Sequence, residues 1–235
     1  MPASMLQRSL RLCAWLACAL VVGMVAIFAL TGVGQDPLQF VHPAAEYTAL
    51  LLRNPAALRA TLGLDNLFLV LYSTVFVLLA GELNQRGAPR LLLGVSAILL
   101  LALGLLDTVE NFHFMAMLAA AEQGRPPSDA EISWQVVESL FKFHVSYLGL
   151  FLLGLAMPRV TQAQRLLANL SVYLQLPVGV AIYVLPQALA VPLVFVRFSY
   201  FVLALAMVGW LYGAGRDATR AAAMPSAASG SGAPA

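Results

Sequence analysis

Six stretches of the chain run apolar with no sustained alternation of polar and apolar positions: Leu12–Val33, Leu64–Leu83, Leu91–Leu118, Trp134–Met157, Leu166–Gln187 and Ala190–Tyr212. Each is close to the ~20 residues that a helix needs to cross a hydrocarbon core. In lipid only helices and closed barrels satisfy their own backbone. Barrel strands alternate with a period of two, which these runs lack. The pattern therefore predicts an all-α, polytopic integral membrane protein, a bundle of about six transmembrane helices. Residues 1–11 are expected as an N-terminal segment, 12–212 as the membrane domain, and 213–235 as a disordered tail rich in Ala, Ser, Gly and Pro.

The breaks between the runs are informative. Most are short. The connection 34–63 is long, and within it Asn54-Pro55 reads as an N-cap followed by a first-turn proline. Leu50, Leu51, Leu58 and Leu62 are interspersed there with Arg53 and Arg59, which predicts short helices lying at the membrane surface. The first run follows Arg8 and Arg11 as a secretory signal would. It exceeds the ~7–15-residue apolar core of such signals and no clean small-residue cleavage site follows, so it is read as an anchor. The two halves of the chain do not align as an internal repeat.

Charge sets the orientation. With six spans, Arg8, Arg11, Arg86, Arg90, Arg159, Arg165, Arg216 and Arg220 share one side, and Arg53, Arg59 and Arg125 the other, eight against three. The positive-inside rule makes the first side cytoplasmic, with both termini inside. The expected location is the inner (plasma) membrane. Twelve of the thirteen basic residues are arginine, which together with abundant Ala, Leu and Gly suggests a GC-rich bacterial genome. Composition agrees with a membrane domain, at 61% hydrophobic and 10% charged residues. There is no basic patch for nucleic acid and no Gly-rich phosphate loop. The lipid bilayer is the one partner that the pattern requires. Cys13 and Cys18 are five apart on one run, so they cannot pair with each other.

Against this apolar background a few charged residues sit at membrane depth, where each costs about 2.5–3.5 kcal/mol on insertion scales. Asp65 opens the second span, and Asp107, Glu110, Asn111 and His113 occur late in the third. Glu138, Lys142 and His144 occur early in the fourth, Tyr183 late in the fifth and Arg197 early in the sixth. Under the six-span topology all of them fall in the outer half of the membrane. On the third helix Asp107, Glu110 and Asn111 share an arc of about 100°. On the fourth, Glu138 and Lys142 are an i,i+4 pair, so Glu138 is the expected partner of Lys142, with Asp107 or Glu110 opposite.

Asp65, Asp107, Glu110, Asn111, Glu138, Lys142, Tyr183 and Arg197 thus form one expected binding site. Three functions fit it. One is a binding or translocation site for a small ion or solute, with coupled titrations suited to proton linkage. A second is a metal-dependent enzyme, since Glu110-x-x-His113 has the spacing of helical di-iron ligands and His144 could add a nitrogen; a bound metal ion would be its cofactor. The third is a set of ion pairs that only holds helices together. The sequence names neither the ligand nor the oligomeric state.

Overall fold

The computed structural model describes residues 3–213, all of whose regular elements are helical. The helices are α1 (Ala3–Thr31), α2 (Ala44–Leu52), α3 (Pro55–Gln85), α4 (Arg90–Glu122), α5 (Asp129–Ala156), α6 (Gln162–Asn169), α7 (Gln175–Val184) and α8 (Gln187–Gly213). A π-helical turn, Leu170–Leu174, joins α6 to α7 without a break, and a 3-10 turn, Asp36–Gln39, precedes α2. Six of these stretches are long and apolar enough to cross a membrane: Met5–Thr31, Pro55–Gln85, Arg90–Glu122, Asp129–Ala156, Gln162–Val184 and Ala188–Tyr212. The chain is a multi-pass membrane helical bundle. The tail beyond residue 213 lies outside the described residues.

Several helix ends follow from local chemistry. The Asn54 side chain accepts from the Ala57 N–H with Pro55 in the first turn, so α3 starts where the Asn-Pro pair predicts. The second span therefore begins about two turns before Leu64, and residues 55–63 belong to it rather than to the connecting loop. Ser128 caps α5 by accepting from Glu131, and Thr161 with Gln164 forms a capping box on α6. Gly87 (φ 82°) and Gly124 (φ 75°) close α3 and α4. In each case the glycine and the next residue donate back to Asn84 and Leu83, or to Ala121 and Ala120, a pattern that requires a left-handed residue.

The spans form a closed ring in chain order. α1 packs on α3, α3 on α4, α4 on α5, α5 on the π turn and α7, and α7 on α8, which returns to α1. Each span buries one stripe at helical spacing and presents the opposite one to lipid. On α3 the buried stripe is Leu62, Asp65, Leu69, Tyr72, Val75 and Leu79, while Leu67, Val70 and Val77 face out. On α5 the stripe reads Ile132, Gln135, Ser139, Lys142, Ser146 and Leu150, and is polar through its first half. Lipid is as apolar as leucine, so interhelical packing and polar contacts must hold such a bundle together. Close approach is visible at Gly149, whose carbonyl accepts from Ser96 of α4 at 2.8 Å.

The connection between α1 and α3 does more than cover the surface. Leu38, Tyr47 and Leu51 are buried to within 1% of complete exclusion from solvent, packed with Phe114, Met117 and Ile132 at the end of the bundle away from the amino terminus. The expected short helices are present, but they are pressed onto α4 and α5. Gln35 and Gln39 flank and occupy the 3-10 turn and reach inward from it.

Candidate functional site

The buried polar residues of α3, α4 and α5 meet beneath this connection. Glu110 and Asn111 are fully buried, and Lys142 is 3% exposed. Lys142 Nζ donates to Asp107 Oδ1 at 2.6 Å and makes a short contact to Glu110 Oε2. Glu110 also accepts from Ser139 and from Gln35 Nε2 (2.9 Å), with Gln39 at 3.5 Å. The second oxygen of Asp107 accepts from the Tyr72 hydroxyl at 3.0 Å. Asn111 donates to Asp65 (2.7 Å) and to Asn66 (3.0 Å), while its carbonyl accepts from Gln35. The amide protons of Asn111 and Gln35 are thereby all used, which fixes both side chains.

A continuous chain of polar contacts crosses the bundle. The Tyr47 hydroxyl reaches Gln135 (3.1 Å) and the Leu38 carbonyl (3.0 Å), Gln135 donates to Ser139 (2.9 Å), and Ser139 donates to Glu110. Lys142 then links Glu110 to Asp107. Tyr47 lies outside the membrane-spanning segments. Burial, followed by the negative charges of Glu110 and Glu131, pushes its phenol well above the ordinary range.

Beside this network lies a cavity of about 130 Å³. Asp65 and Tyr72 of α3, Asp107 of α4, Lys142 of α5 and Arg197 of α8 line it, with Gln175 of α7. Asp36 also lines it while its side chain is 61% exposed, which places the mouth beside the connection. Phe68, Tyr72, Phe76 and Phe201 pack edge to face at centroid distances of 5.1–6.3 Å. Phe68, Tyr72 and Phe201 line the cavity and Phe76 follows one turn further along α3, so the aromatic cluster is its floor.

The expected residues separate into three groups. Asp65, Asp107, Glu110, Asn111 and Lys142 form the central network. Arg197 and Tyr183 form a second group, in which Arg197 donates to the Tyr183 hydroxyl at 3.3 Å and lies over the Phe143 ring at 3.7 Å. Glu138 belongs to neither. It pairs with His113 at 2.7 Å at the periphery, with Glu131 3.8 Å from the other ring nitrogen. The expected Glu138–Lys142 pair is therefore corrected. Lys142 leans across to α4, where two carboxylates share one ammonium beside the cavity.

Glu110, His113 and His144 take separate partners and do not converge. Glu110 is bound to Lys142 and Ser139, and His113 to Glu138. His144, exposed, shares a hydrogen with the Leu140 carbonyl of its own helix at 2.7 Å. Among the described residues no three His, Cys, Asp or Glu side chains are grouped as a metal set.

The polar groups also do not all lie at one level. Glu82, fully buried near the other end of α3, accepts from Gln7 (3.1 Å) and Arg86 (2.8 Å), with Arg86 5.0 Å over the Tyr212 ring. The sequence reading missed this cluster because Arg86 belongs to a turn and Gln7 precedes the first apolar run. It also missed Gln35, Gln39, Tyr72 and Ser139 as network members. The two glutamines spaced i,i+4 on either side of Asp36 were the available signal.

No protein-family model matches the chain, and neither does any curated protein or solved structure.

Proposed function

We propose that this protein binds a small polar solute within the membrane and moves it in exchange for a proton, through a site entered from the side opposite the amino terminus. The observation that carries this reading is the cavity itself. It is walled by Asp65, Asp107, Lys142 and Arg197, which project from four of the long apolar helices. Ion pairs that serve only to pin helices need no such space, because groups in contact exclude it. Here Lys142 and its two carboxylates close one wall, while Asp65 and Arg197 remain open to the cavity from others. Asp65 is bound by a neutral amide and is the group best placed to take up and release a proton.

The arginine distribution supports an orientation with both termini in the cytoplasm and the cavity opening outward. The aromatic floor then separates the cavity from the cytoplasmic half, and alternating access would require its rings to part.

The test is solute-driven proton movement in proteoliposomes loaded with a pH-sensitive dye. A panel of amino acids and short carboxylates serves as the probe. Movement of protons opposite to one of these solutes in the native protein, and its loss in Asp65→Asn, is the expected result. Solute-driven flux that is unchanged in Asp65→Asn, or no flux with any member of the panel, overturns proton-linked transport.

A further inference from the structure

Two charges on the cavity wall lack a full counter-charge inside the protein. Asp65, 8% exposed, accepts from Asn111 at 2.7 Å, and no ion pair among the described residues includes it. Arg197, also 8% exposed, donates to the Tyr183 hydroxyl at 3.3 Å, and the Tyr147 hydroxyl is a second polar neighbour. Its acidic neighbour, Asp36, stands 3.9 Å away and is mostly in solvent. The Phe143 ring covers one side of the guanidinium at 3.7 Å. Of its five N–H donors, those beyond the two tyrosine neighbours remain for a ligand, in the fork geometry that matches a carboxylate. Lys142 differs, since Asp107 and Glu110 already hold it.

Asp65 projects from α3 and Arg197 from α8, and both line the same cavity. A simple anion would satisfy Arg197 and leave Asp65 unmatched, and a simple cation would do the reverse. A zwitterion satisfies both and brings no net charge into the membrane, where each uncompensated charge is costly. The volume sets the size. A cavity of about 130 Å³ is close to the ~150 Å³ that accommodates benzene, so the ligand has about six non-hydrogen atoms.

We propose that the cavity binds a small amino acid, its carboxylate on Arg197 and its ammonium on Asp65. This rests on the solute-binding reading and names the substrate class.

The test is titration calorimetry of the purified full-length protein in detergent. The probes are alanine, β-alanine and γ-aminobutyrate, which vary the spacing of the two charges, with propionate and propylamine as single-charge counterparts. At least one amino acid is expected to bind, with both single-charge probes weaker by roughly thirtyfold or more. Asp65→Asn and Arg197→Lys should each weaken the amino acid by a similar factor. Arg197→Lys keeps the positive charge and loses the fork, and a monodisperse elution profile verifies that each variant is folded. Propionate binding as tightly as every amino acid, or amino-acid binding indifferent to Asp65→Asn, overturns the zwitterion and leaves a solute site standing. Failure of all five probes also overturns it. Calorimetry reads binding alone, so either failure is distinguishable from a failure of proton-linked transport, which the proteoliposomes read.

Discussion

Lys142 is the single lysine of the chain and its ammonium is shared by two buried carboxylates. Replacing it with methionine keeps most of the volume and leaves Asp107 and Glu110 facing each other without a cation. Removing one member of a buried ion pair costs about 3–5 kcal/mol, chiefly because the remaining charge stays buried. Lys142→Met should lower unfolding stability by that amount in a denaturant or thermal series. Adding Glu110→Gln should recover at least half of the loss, because it removes one stranded charge. Adding Glu138→Gln should recover nothing, since Glu138 is engaged with His113. Rescue by Glu138→Gln instead would contradict the pairing described above.

Tyr47 gives the residue scale a pH dependence. Its folded phenol holds its proton more tightly than an unfolded one, which ionises near pH ~10. Above that pH the unfolded chain binds fewer protons than the folded one, so stability falls as pH rises. Tyr47→Phe should be less stable near neutrality, having lost the bonds to Gln135 and Leu38, and should show a shallower decline above pH ~10. Unfolding midpoints on either side of that pH measure the slope.

At the scale of elements, the fifth span is the least regular, with its π turn between α6 and α7. Such turns re-aim the residues that follow. Here α7 passes so close to α5 that a Cβ on Gly179 would overlap the Tyr147 ring. Tyr147 lies one turn beyond Phe143 and stacks with it, so the tightness extends to the wall under Arg197. Gly179→Ala should cost roughly 1–3 kcal/mol or more by overpacking. Gly63→Ala in α3, where nothing lies within 4 Å, should instead stabilise by about 0.5–1 kcal/mol through helix propensity. Thermal unfolding of the two variants compares them directly. A stabilised Gly179→Ala would show that α5 and α7 are not so closely packed. The Asn54 cap contributes on a similar scale, and Asn54→Ala should lose about 1 kcal/mol.

The whole molecule is a ring of spans in chain order, which makes its topology directly testable. Gln85 ends α3 shortly before α4 begins, Gln123 follows the far end of α4, and both are exposed. Single cysteines at these positions, in a background lacking Cys13 and Cys18, should react with an impermeant thiol reagent from opposite sides of the membrane. Gln85→Cys is expected on the cytoplasmic side. Labelling of both from one side would contradict the bundle, and labelling with the sides exchanged would invert only the proposed orientation. The ring also explains how distant segments share one cavity. α8 returns to α1, and this carries Arg197 to the cavity that Asp65 lines from α3.

The sequence by itself determined that the chain is a helical membrane bundle, because hydrocarbon thickness and backbone satisfaction leave few alternatives for six long apolar runs. It also determined that Asp107, Glu110 and Asn111 share a face, and that Asn54 caps a helix, because both are properties of a single helix or of adjacent residues. Only the tertiary structure decided which partners these residues take. Helical spacing allowed Lys142 to pair with Glu138, yet the rotation and packing of α5 against α4 turned Lys142 to Asp107 and Glu110 and left Glu138 to His113. Likewise, no local pattern shows a loop folding back to place Gln35 and Gln39 on Glu110, or Gln7 meeting Glu82 across the bundle. These contacts join residues about seventy positions apart in the chain, and chain spacing carries no information on distances set by helix packing.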